Sequence, residues 1–121
     1  MLQNKKYDLE ERTAKFGESI IKFVNGLGKN DVNRILASQM VRSATSIGAN
    51  YMEANGASSK KDFKNKISIC RKEARETKYW LRMIAENNQD KKEDCRALWQ
   101  EAQELTLIFS KIAISTSEKT I

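Results

Sequence analysis

Two pairs of carboxylates sit at helical spacing, Glu73 with Glu76 and Glu101 with Glu104. Each pair would lie on one side of a helix, where two acids could contribute to a metal centre within a helical bundle. A di-iron bundle of that type normally needs Glu-x-x-His, and the chain contains 0 histidines. The same absence removes the usual general base near neutral pH and the commonest metal ligand. Two cysteines, Cys70 and Cys95, fall on separate predicted helices and do not meet the four-ligand need of a structural zinc. Cys70 would have to be exposed and electropositive to act as a nucleophile, yet its spacing buries it. Gly28-Lys29 forms no phosphate loop, and the glycines mark helix ends. The carboxylates read as solvated or salt-bridged. The expectation is a protein with no catalysis, no metal and no cofactor.

A second chemistry is better supplied. Lys60, Lys64, Arg71, Arg75, Lys78 and Arg82 fall on one flank of a single predicted helix at about 100° per residue. The net charge of the chain is +6, and residues 58–86 alone hold nine Lys/Arg against four Asp/Glu. Nearly all the positive excess therefore belongs to one helix. A stripe of this length, roughly 33 Å, could track several backbone phosphates, each contact releasing counterions. Simple solvation of a helix face is the alternative, with Lys72 and Glu76 a plausible local pair.

Two further groups sit beside the predicted core. Arg42, Ser46, Asn50 and Glu53 form a polar line on the second helix. The line is either a surface stripe or a hydrogen-bonded network to a neighbouring helix or subunit, since buried arginine and asparagine need partners. Ile69, Tyr79, Trp80 and Met83 lie outside the seam of the third helix and suggest a contact surface. Gly48, away from the core face, would let another backbone approach closely. Together these predict a homo-oligomer, with a protein partner as a further possibility for the same surface.

The elements that must position these groups are helices. The chain has 121 residues, 0 prolines and 5 glycines, which suits one all-α domain with few turns. Leu9, Thr13, Phe16, Ile20, Phe23 and Leu27 mark a first helix, with Asp8 and Glu11 as a capping pair and Gly26-Leu27-Gly28 as a stop using a left-handed cap. Val32, Leu36, Met40, Ala44, Ile47, Tyr51 and Ala54 mark a second, capped by Asn30 or Asp31. Phe63, Ile67, Cys70, Ala74, Thr77, Leu81 and Ile84 form the seam of the third, capped by Ser58 or Ser59. Cys95, Leu98, Ala102, Leu105, Phe109 and Ile112 mark the fourth, with Asp90 and Glu93 as its capping pair. The predicted architecture is an antiparallel up-down-up-down four-helix bundle over residues 8–115, with flexible ends at 1–7 and 116–121. No stretch approaches the roughly 18 apolar residues of a membrane span, and the first residues lack the apolar core of a signal peptide. A cytoplasmic protein without membrane partners is expected.

These residues occur in a familiar order. The run SQMVRSATSIGANYMEANGASSKKDF resembles the signature of the 23S rRNA intervening-sequence proteins through Arg42, Ser43, Ser46, Ile47, Asn50, Glu53, Gly56 and Phe63. ICRKEARETKYWLRMI matches through Glu73, Ala74, Glu76, Thr77, Trp80 and Leu81, and the resemblance spans roughly residues 8–115. Tyr51-Met52 and Asn55 depart from the family pattern at the end of the second helix. The resemblance implies a four-helix bundle that assembles into a ring, a pentamer, with no defining enzymatic activity. Some members are encoded within insertions of ribosomal RNA genes, and a related branch assists reverse transcriptases of diversity-generating retroelements. The partner so implied is ribosomal or other structured RNA, the same class to which the basic flank points.

Overall fold

The computed structural model describes residues 5–118, which form four α-helices: α1 (Lys5–Asn25), α2 (Asp31–Asn55), α3 (Lys60–Asn87) and α4 (Lys92–Glu118). A single 3-10 turn, Gln89–Lys91, precedes α4. The chain is an all-α four-helix bundle, with no strand among the described residues.

Two helix starts follow the expected capping chemistry. Asn30 accepts a hydrogen bond from the Asn33 amide at 2.9 Å, and Ser59 accepts one from the Asp62 amide at 3.0 Å. Elsewhere the boundaries differ from expectation. α1 begins at Lys5, so Asp8 and Glu11 fall inside the helix rather than at its cap. The Asp90–Glu93 pair is also not the start of α4. The chain first makes the 3-10 turn, closed by Lys91 N–H to the Asn88 carbonyl at 2.8 Å. α4 continues to Glu118, beyond the expected end at Ser115. Residues 1–4 and 119–121 of the two expected flexible ends lie outside the described residues.

The glycines also act differently from the expected left-handed caps, since no described glycine has positive φ. Instead Gly26 and Leu27 donate to the carbonyls of Phe23 and Val24, both at 3.1 Å, closing α1 by a tightened last turn. Gly48 does serve a close approach, but within the chain. A Cβ built there would stand 3.2 Å from the Thr13 hydroxyl, so α1 lies against α2 at this point.

The seams of α1, α3 and α4 bury as their spacing predicts. Ile20, Ile67, Cys70, Leu81, Ile84, Leu105 and Phe109 are fully enclosed, and Phe109 meets Tyr51 at a ring-centroid distance of 5.7 Å. α3 packs between α2 and α4. Contacts between α2 and α3 run in opposite chain directions: Glu53 meets Lys66, Ser43 meets Thr77, and Asn33 meets Asn88. The Ser43 and Thr77 hydroxyls, both fully buried, lie 2.8 Å apart.

The first turn of α2 departs from its predicted face. Val32 is 50% exposed, whereas Asn33 is 3% exposed. Asn33 is buried because four hydrogen bonds satisfy its amide. Its Nδ2 donates to the Gly28 carbonyl at 2.8 Å and to Asn88 Oδ1 at 3.0 Å. Its Oδ1 accepts from Asn87 at 3.0 Å and from Asn88 at 2.8 Å. This amide cluster ties the α1–α2 turn to the end of α3.

Candidate polyanion-binding face

The two flanks of α3 are used in opposite ways. The flank toward α2 is a set of ion pairs internal to the chain. Lys66 Nζ meets Glu53 at 2.7 Å, and Arg42 binds Glu73 at 3.3 Å while also pairing with Glu76. Trp80 Nε1 donates to the same Glu76 carboxylate at 2.8 Å. The predicted polar line of α2 thus bridges α2 to α3 at both ends, within one chain. Its middle members turn to their own helix: Ser46 Oγ donates to the Arg42 carbonyl at 2.7 Å, and Asn50 Nδ2 to the Ser46 carbonyl at 2.8 Å. The partners Glu73, Glu76 and Lys66 were not paired with this line by spacing. Glu73 carries a clue in its place at the edge of the α3 seam, where an acid without a cation would be costly.

The second carboxylate pair has the same fate. Arg12 of α1 donates to Glu101 at 2.7 and 2.8 Å and to Glu104 at 2.7 Å, holding α1 against α4. The Glu101 hydrogen bond holds the guanidinium well above its ordinary range despite partial burial, so it remains charged. Each predicted carboxylate pair is bound by one arginine. Among the described residues, no three His, Cys, Asp or Glu side chains form a group able to hold a metal ion.

Both cysteines are buried thiols. Cys70 Sγ donates to the Ile47 carbonyl at 3.4 Å. Burial pushes the Cys70 thiol up to about 12 and the Cys95 thiol up to about 11. The folded state therefore keeps these protons to higher pH than the unfolded chain does. Their contribution to stability is intact below about pH 8.5, the ordinary thiol value, and is lost as pH rises through 11 and 12. Iodoacetamide at pH 8 should leave both cysteines unlabelled in the folded protein and label both in denaturant. Mass spectrometry of the intact chain reads this directly, and labelling without denaturant would contradict their burial.

The flank of α3 toward α4 is cationic and largely unneutralised. Lys60, Arg75 and Arg82 are exposed, while Lys64, Arg71 and Lys78 are half-buried. Lys78 donates to Gln103 of α4 and lies 5.3 Å from the centroid of the Trp99 ring. Its burial, with the nearby charge of Arg75, lowers its pKa. Lys64, Arg71, Arg75 and Arg82 make no ion pair or hydrogen bond among the described residues. By contrast, Arg12, Arg34, Arg42, Lys66 and Arg96 are all engaged by carboxylates. Trp99, 38% exposed, stands beside this line and was not singled out by sequence spacing.

The residues assigned to an oligomer surface are only partly free. Ile69, Trp80 and Met83 are half-buried. Trp80 packs against the core and meets Tyr79 edge-on at 5.1 Å. Tyr79 is 54% exposed, and α2 adds Val32 at 50% and Ile35 at 57%. The pairing of Asn33 with Asn88 and of Arg42 with Glu76 places Ile35 near the level of Met83.

No helix among the described residues is long and apolar enough to cross a membrane. Comparison with known proteins adds the family. A solved structure from Bacteroides thetaiotaomicron VPI-5482, described as a protein of unknown function from the S23 ribosomal protein family, superposes with a TM-score of 0.80. It is 31% identical, over 91% of this chain and 98% of that one. No curated protein matches the chain. The family model for the 23S rRNA-intervening sequence protein matches residues 5–111, and with the shared helical architecture this establishes that the chain belongs to that family.

Proposed function

We propose that this chain is a non-catalytic, cytoplasmic homo-oligomer that binds RNA or another nucleic acid through the basic face of α3. The contacts are Lys60, Lys64, Arg71, Arg75, Lys78 and Arg82. One observation carries the reading: among the described residues Lys64, Arg71, Arg75 and Arg82 make no ion pair or hydrogen bond, while every arginine outside α3 is paired with a carboxylate. An unneutralised row of charge on a rigid helix is suited to a linear polyanion. The connectivity in this reading is up-down-up-down, and the assembly is a ring of five. Such a ring presents one basic stripe per subunit and raises avidity through effective concentration. The test is fluorescence anisotropy of nuclease-treated protein with labelled ribosomal RNA fragments. Binding at low salt that weakens steeply as salt rises supports the reading, and indifference to RNA at low salt overturns it.

A second reading, a protein-interaction scaffold without nucleic-acid binding, is favoured by the exposed apolar residues Tyr79, Val32 and Ile35. They suit an assembly or partner interface better than Trp80, which is held by Glu76 and the core. Ile35→Glu with Tyr79→Glu should lower the molar mass measured by light scattering if this face joins subunits. An unchanged mass would remove it from the assembly interface.

A further inference from the structure

We propose that the basic face takes an unpaired, single-stranded stretch of RNA, one of whose bases stacks on Trp99. This rests on the nucleic-acid reading above and specifies its ligand.

The indole of Trp99 is 38% exposed although it lies at the edge of the α3–α4 contact. Lys78 fixes this edge, reaching Gln103 on the next turn of α4 while its ammonium group stands 5.3 Å from the ring centroid. The aromatic surface is thus held next to the cation line. Leu107 and Ile114, 57% and 60% exposed, continue from Gln103 at helical spacing along the same side of α4. The face therefore combines two parallel features: a row of cations on α3 and a ridge of exposed aromatic and aliphatic groups on α4.

A duplex presents phosphates but keeps its bases stacked inside, so it would satisfy the cations and leave the ridge in water. A single strand presents both phosphates and the faces of its bases, and aromatic side chains beside basic residues are the usual platform for them. The free cations from Lys64 to Arg82 follow one line of about 27 Å along α3. That geometry matches a linear polyanion better than the plane of a membrane.

The test compares full-length protein binding to an unstructured RNA of about 20 nucleotides and to a duplex of equal length, by anisotropy at low salt. The single strand should bind more tightly. Trp99→Ala should weaken it roughly 5- to 100-fold while leaving duplex affinity unchanged, and Trp99→Phe should restore most of the loss. RNA should also quench a fluorescence component present in the unmodified protein and absent in Trp99→Phe, a readout that avoids a destabilising truncation. Equal binding of the two RNAs, with no effect of Trp99→Ala and no quenching, overturns the stacking assignment and leaves the basic-face reading standing. Failure of the unmodified protein to bind either RNA overturns both, as does binding of phosphatidylserine vesicles or polyglutamate in place of RNA.

Discussion

Reversing Arg71 and Arg75 to glutamate should weaken RNA binding about 20-fold or more at 0.1 M salt. For single strands, each neutralised phosphate contributes about 0.7 to the slope of log affinity against log salt concentration. Loss of two contacts should therefore flatten that slope by about 1.4, and the introduced repulsion adds to the loss of affinity. Neither arginine holds a carboxylate among the described residues, so the substitutions break no internal pair. Stability should change by no more than about 1 kcal/mol. Arg75→Glu also removes the charge that disfavours protonated Lys78, so the remaining stripe stays cationic. Lys15→Glu with Lys22→Glu, on exposed positions of α1, is the matched control and should leave affinity nearly unchanged. An equal loss in the control would assign binding to net charge rather than to α3.

The second large effect is on stability. Asn33→Ala should cost about 2–4 kcal/mol, because it removes four hydrogen bonds and leaves buried groups of Asn88 and the Gly28 carbonyl without their partner. Val32→Ala, one residue earlier, should fall within about 0.5 kcal/mol since Val32 is half exposed. Urea unfolding of the two variants checks the pair. The reverse order, with Val32 the costly site, would restore the face predicted from apolar spacing and contradict the amide cluster.

That contrast marks the boundary of what the amino-acid order alone can convey. Apolar residues spaced by three and four specify which side of a helix is dry, and the seams of α1, α3 and α4 were legible for that reason. Asn33 was not, because its burial depends on Asn87 and Asn88, more than fifty positions away, arriving with complementary donors and acceptors. The polar line on α2 was visible as a line, but its role depended on what α3 placed opposite. Arg42 found Glu73 and Glu76 within the chain, and Glu53 found Lys66.

The candidate site divides in the same way. In sequence, Lys64 and Lys66 are equivalent lysines two residues apart. In the fold, the 200° between them turns Lys66 toward Glu53 on α2 and leaves Lys64 on the unneutralised flank. Periodicity could place six cations together but could not state which of them the protein had already used. Trp99 escaped notice because it adjoins Leu98 just off the α4 seam, where an aromatic reads as core until its exposure is known.

Lysine footprinting tests most directly whether RNA lies along α3. The protein is acetylated briefly with and without ribosomal RNA fragments, and modification at each lysine is read by mass spectrometry. RNA should protect Lys60 and Lys64 on α3 while Lys15 and Lys22 on α1 react as before. Protection centred on α1, or spread evenly over all exposed lysines, would contradict an α3 interface.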